Sequence, residues 1–182
     1  MITFLITQNS PFKKQLNILY FYNRLNSLLY NILYCHNFQI VFQEVPGEIS
    51  LCFSISGCKL RCKGCHSPFL WKEGKGKLLT QEYYTKLLNR YKNYATCVLF
   101  MGGEWHELEL IEYLKIANEK EYKTCLYTGE ETVSEYISAK LTWLKTGKWI
   151  EHLGGLESVT TNQKFIEIKT KNNLNQLFQK TF

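Results

Sequence analysis

The first 34 residues contain no acidic side chain and no glycine. They hold only three basic residues and an excess of Asn, Tyr, Leu and Ile. This composition sets residues 1–33 apart as an extension, expected to be a loosely attached helix, a disordered segment or absent from the native protein. A shorter product would need a non-Met start such as the codon of Ile32 or Leu33, because the only methionines are Met1 and Met101. Long apolar runs are also missing. The most apolar stretch, residues 16–42, is broken by Asn17, Asn23, Arg24, Asn26 and Asn31, so no membrane span is expected. The amino terminus has neither a basic lead nor a small-residue cleavage site, which argues against a secretory signal. There is no internal repeat and no Pro- or Ser-rich linker, and 182 residues suit one domain, here residues 34–182.

Runs of like charge are lacking as well. The net charge is +6, but the basic residues are scattered singly or in pairs such as Lys13-Lys14. A nucleic-acid binder would gather them into a stripe, so no nucleic-acid partner is expected. Such scatter reads as a solvated, lysine-rich surface, with attraction to an acidic protein partner as the sharper alternative. The seven cysteines are an odd number, without the leader that accompanies a disulfide framework. In the reducing cytoplasm that this implies, clustered thiols point to metal or redox chemistry.

What is present alternates. Residues 49–56 (Ile-Ser-Leu-Cys-Phe-Ser-Ile-Ser) interleave apolar and small polar side chains, the period of a strand. Thr80 suits the N-cap of a helix reaching about Tyr91. Residues 96–101 form a short buried strand closed by Gly102-Gly103. Residues 107–120 carry Leu108, Ile111, Leu114 and Ala117 at roughly helical spacing. Strands are expected again at 122–128, 141–145 and 164–169, with a short helix in 131–138. This order predicts an α/β fold with a mostly parallel sheet, whose ligands sit beyond the carboxyl ends of the strands.

The segment with the most chemistry is Cys58-Lys59-Leu60-Arg61-Cys62-Lys63-Gly64-Cys65, a C-x3-C-x2-C loop directly after the first of these strands. Three thiolates at this spacing can wrap one four-iron cubane and leave one iron without a protein ligand. That iron is open to a small molecule chelating through amino and carboxylate groups, both of which S-adenosylmethionine (SAM) has. A closed zinc site would want a fourth ligand, and no second cysteine pair exists; His66 adjoins Cys65 and would complete it only with strain. Cys35, Cys52, Cys97 and Cys125 read as small buried hydrophobes rather than a second site. His106 reads as a surface or capping residue, and His152 is assigned no chemistry. Asn162 and Gln163 suit either a turn or a ligand or partner contact.

The loop resembles the signature of the radical SAM superfamily. The surrounding sequence is similar to the activating-protein family of the anaerobic ribonucleoside-triphosphate reductase. The likeness rests on the Cys loop with Gly64-Cys65-His66-Ser67-Pro68, on residues 34–38 and 45–48, on Gly102-Gly103-Glu104 and Tyr127-Thr128-Gly129, and on residues 153–156 and 160–163. It implies an incomplete, laterally open radical SAM β/α barrel. It implies one 4Fe-4S cluster on Cys58, Cys62 and Cys65, with Gly64, Cys65 and His66 against the SAM adenine. Gly102, Gly103 and Glu104 would receive the methionyl amino group. Catalysis would need no residue beyond the cluster and SAM. The resemblance further implies the reductase as protein substrate, glycyl radical formation as the activity, and an electron donor such as flavodoxin. Activation of another glycyl radical enzyme, a small-molecule reaction, a non-catalytic iron–sulfur or zinc module, and a basic nucleic-acid binder are the alternatives. Trp105 stands where the family commonly has Pro, which leaves the backbone after Glu104 open.

Overall fold

The computed structural model describes residues 33–179; the extension expected at 1–33 lies outside them except for Leu33. Leu33 is fully buried in the core, and its carbonyl accepts the Leu79 N–H at 2.8 Å. Among the described residues eight strands form one sheet: β1 (Tyr34–Val41), β2 (Ser50–Ile55), β3 (Lys77–Leu78), β4 (Cys97–Met101), β5 (Lys123–Tyr127), β6 (Trp143–Thr146), β7 (Lys164–Glu167) and β8 (Asn172–Asn173). Their order is β3-β1-β2-β4-β5-β6-β7-β8. Helices α1 (Gln81–Tyr91), α2 (Glu107–Glu119) and α3 (Glu135–Ser138) lie in the crossovers β3–β4, β4–β5 and β5–β6.

The α/β expectation stands, but the sheet is parallel only at its centre. The pairings β2–β4, β4–β5 and β5–β6 are parallel. Those of β1 with β2 and β3, of β6 with β7 and of β7 with β8 are antiparallel. The physical reason is connection length. Parallel neighbours need a crossover, here supplied with a helix each time, whereas the direct returns β1–β2 and β7–β8 produce antiparallel neighbours. Among the described residues the sheet is open, with β3 and β8 as its two edges. No described helix is long and apolar enough to cross a membrane.

Alternation along β2 sends Leu51, Phe53 and Ile55 to the helix-covered face, where they join Val98, Phe100, Leu126 and Leu144 of the next strands. Helix α1 begins as its sequence suggests: Thr80 Oγ1 accepts the Tyr83 N–H at 3.1 Å, and Tyr84, Leu87 and Leu88 are buried. Helix α2 differs from the expected stripe. It buries Leu110, Tyr113, Leu114 and Ala117, whereas Leu108 is 68% exposed. A strict every-third-residue series drifts around a 3.6-residue helix, so Leu108 and Ala117 cannot share one face. The i, i+3, i+4, i+7 set does. The opposite sheet face packs Cys52, Cys97, Leu99, Cys125 and Trp143 beneath Val45, Leu156 and Phe165. Burial pushes the Cys52 and Cys97 thiols up to about 12, and that of Cys125 well above its ordinary value. These three pack as small apolar side chains. Cys35 lies half-buried in β1, its thiol donating to the Asn37 carbonyl at 3.0 Å.

Candidate functional site

Strands β2, β4, β5 and β6 run the same way, so the loops leaving their carboxyl ends share one rim. Ser54, Met101, Tyr127 and Lys145 are register partners along that rim. The loops are stitched to their neighbours. Gly102 N–H donates to the Tyr127 carbonyl, Thr128 N–H to that of Lys145 and Gly147 N–H to that of Glu130, each at 2.9 Å. Asn162 Nδ2 donates to the Lys148 carbonyl at 3.0 Å, so Asn162 ties two rim segments together. Gln163 is buried, and its carbonyl accepts from Asn175 Nδ2 at 2.8 Å. The 45–48 turn is anchored at the opposite end of the strands, where buried Glu48 accepts from Lys123 Nζ at 2.6 Å.

The cysteine loop leaves β2 through Gly57, whose N–H and that of Cys58 both donate to the Leu70 carbonyl at 2.7 and 3.0 Å. Arg61 and Gly64 take left-handed conformations, φ +47° and +70°, which coil the chain tightly enough for Cys65 N–H to reach the Cys62 carbonyl at 3.2 Å. Cys65 Sγ in turn accepts the Ser67 N–H at 3.3 Å. All three loop thiols are half-buried, and burial is the largest influence raising that of Cys58. Each opens onto a different cleft. Cys58 lines one of about 260 Å³ with Glu104 and Trp105. Cys62 lines one of about 450 Å³ with Trp149 and His152. Cys65 lines one of about 510 Å³ with His66, Tyr127, Lys145 and Trp149. Among the described residues no three His, Cys, Asp or Glu side chains form a group able to hold a metal ion. A cubane takes each thiolate on a separate iron, so its ligands stand around a common volume wider than the coordination sphere of a single metal ion.

Gly102, Gly103 and Glu104 follow β4 and lie beside the loop. Glu104 Oε1 accepts from the Thr128 hydroxyl, but Oε2 is buried and has no partner. Burial raises the Glu104 carboxyl above its ordinary range, against the opposing pull of the Thr128 bond. Trp105 explains two glycines. Its indole comes within 2.8 Å of where a Cβ on Gly57 would stand and 2.5 Å of one on Gly102, and both glycines have positive φ. A side chain at either position would collide with the ring, so Trp105 closes this part of the rim by lying on bare backbone.

Two residues carrying no motif enter the site. Lys145, on β6, lines the Cys65 cleft and donates to the Gly147 carbonyl at 2.9 Å. Burial lowers its ammonium to about 8, with Cys62 and Glu104 acting in the opposite direction. Trp149 stacks at a tilt on His66 with ring centroids 4.3 Å apart. Neither stands out in spacing or composition; strand register brings in one and loop packing the other. His106 caps α2 without a side-chain cap bond, and its Nε2 lies 3.0 Å from Glu73 Oε1.

Two comparisons with known proteins place the chain among iron–sulfur sequences. The profile of a family described as a 4Fe-4S single cluster domain matches residues 46–178, which include the whole cysteine loop and the rim. Over 90 residues the chain is 38% identical to the pyruvate formate-lyase-activating enzyme of Clostridium pasteurianum. That match takes in 46% of this chain and 37% of the enzyme.

Proposed function

Because the chain belongs to the 4Fe-4S single cluster domain family, we propose that it is a radical SAM activase, with Cys58, Cys62 and Cys65 as the ligands of its cluster. When bound, the reduced cluster would supply one electron for cleavage of a sulfonium carbon–sulfur bond of SAM, the radical chemistry by which a hydrogen atom would be removed from a glycine of the partner. The rest is binding and exclusion of water by this chain. The observation that carries the reading is the Glu104 carboxylate, with one oxygen held by Thr128 and the other buried without a partner on the cysteine rim. Such an oxygen calls for a cationic donor, and the methionyl ammonium of SAM is one. Gly102 and Gly103 bring bare backbone to the same spot. Gly64, Cys65 and His66 contribute the adenine side. Trp105 keeps the turn closed from behind, and Lys145 offers positive charge to the ligand's carboxylate or to the thiolates.

The protein substrate in this reading is a glycyl radical enzyme in a reducing cytoplasm, with a separate one-electron donor such as a flavodoxin. Residues 153–156 and 160–163 favour the anaerobic ribonucleoside-triphosphate reductase. The likeness to a pyruvate formate-lyase-activating enzyme favours a lyase of that name as the second reading. The test is anaerobic incubation of the cluster-loaded, reduced chain with SAM and each candidate in turn. The expected result is a glycyl radical doublet in the electron paramagnetic resonance spectrum of the reductase, with one 5′-deoxyadenosine formed per radical. A doublet on the lyase alone would replace the substrate assignment. SAM left uncleaved by reduced protein would end the radical SAM reading.

A further inference from the structure

Trp149 has the surroundings of a ligand-binding ring rather than of a core ring. It is half-buried, and its indole nitrogen is buried without a hydrogen-bond partner. It stands between two clefts, lining the one that Cys62 enters and the one that Cys65 enters. One neighbour is Gly64, where Trp149 Nε1 lies 3.4 Å from the position of an absent Cβ. The other is the exposed imidazole of His66, at 4.3 Å between centroids and a 49° tilt. The loop bringing it there turns at Gly147, which has φ +90° and packs 2.9 Å from the Asn162 carbonyl at the Cβ position, so the approach is set by backbone contact. The larger cleft adds Tyr127, Leu156 and Phe178 as apolar walls and Gln43 and Gln163 as polar edges. Aromatic faces with a few polar groups at the margin suit a flat heteroaromatic base, which presents a π face and hydrogen-bonding edges at once.

We propose that Trp149 is the stacking surface for the adenine of the adenosyl ligand, with His66 as its flank. This rests on the SAM reading above. Gly64 has no side chain to meet the base, and the indole from the loop after β6 supplies that aromatic surface from across the rim. Base-on-aromatic stacking is worth enough that its loss weakens binding by about 5- to 150-fold.

The experiment is equilibrium dialysis of SAM, and separately of methionine, against the full chain loaded with its cluster and left unreduced. Iron content is measured on every sample. Trp149→Leu keeps apolar bulk without a π face, and Trp149→Phe keeps the face. The Leu variant is expected to hold iron like the parent and to bind SAM about 5- to 150-fold more weakly. The Phe variant stays within about fivefold of the parent, and methionine, which lacks adenine, binds all three alike. SAM binding by the Leu variant equal to that of the Phe variant overturns the proposal while leaving the SAM reading intact. So does a Leu variant that binds SAM normally but no longer activates its partner, which would make Trp149 a docking residue. A cluster-loaded parent that binds no SAM ends both.

Discussion

Glu104→Gln separates stability from binding at the centre of the site. In the cluster-free protein the carboxylate is a liability, because Oε2 is buried without a partner and burial raises the Glu104 pKa. A raised pKa means that the native state holds the proton where the unfolded chain has released it. Stability contributed by this group is therefore present at low pH and lost as pH rises from the ordinary carboxyl range through the raised value. Gln keeps an oxygen to accept from Thr128 and removes the charge. The amide group that replaces Oε2 is equally unpaired but carries no charge to desolvate, so the variant should gain on its parent between pH 4 and pH 8 by on the order of 1 kcal/mol. Binding should move the other way. A hydrogen bond to a charged group is worth about 1.5–3 kcal/mol, so the Gln variant should bind SAM about 10- to 150-fold more weakly while loading iron normally. Urea melts at the two pH values and dialysis at pH 7.5 measure both. SAM affinity within twofold of the parent would refute the assignment of Oε2 to the ligand's ammonium. A parent-to-variant difference that does not change between the two pH values would mean that burying this charge carries no penalty.

Replacing Cys58, Cys62 or Cys65 by Ala should each abolish retention of the cluster, whereas Cys97→Ala and Cys125→Ala, on the far-face core, should keep about four irons per chain; iron and sulfide analysis decides, and loss on Cys97→Ala alone would overturn the ligand set. Lys145→Met should change the alkaline limb of the stability profile of the cluster-free protein. With its native pKa lowered to about 8 from 10.5, the native state has shed a proton that the unfolded chain still binds, so stability due to this group rises between those pH values. Urea melts of both proteins from pH 7.5 to 10.5 should show the difference between them shifting in the parent's favour as pH rises, since the raised thiols of Cys52, Cys97 and Cys125 lower the stability of both alike. Deleting residues 1–32, which retains the buried Leu33 and its bond to Leu79, should leave SAM cleavage intact; an insoluble product or one without cluster would make the segment part of the domain.

Local pattern was sufficient wherever the physics was local. Three thiols within eight residues mark out the cysteine loop, the basis of the proposed cluster site, without reference to the rest of the chain. Thr80 caps its helix because the bond spans three residues, alternation in β2 assigns its two faces, and the all-apolar run of β4 marks it as buried, with Cys52 and Cys97 buried as small hydrophobes. The face of α2 was less legible, because an apolar series at every third position and the true stripe overlap at Leu114 and Ala117, and only packing against the sheet selects Leu110 and Tyr113 over Leu108. The antiparallel flanks, the orphaned oxygen of Glu104, the lysine beside it and the indole against Gly64 were not in the pattern at all. Glu104 and Thr128 are 24 residues apart, and Gly64 and Trp149 are 85 apart. Side chains so far apart in sequence meet because parallel register lines up four strand ends and backbone bonds lock the loops beyond them, and spacing along one segment carries no record of which other segment will lie beside it.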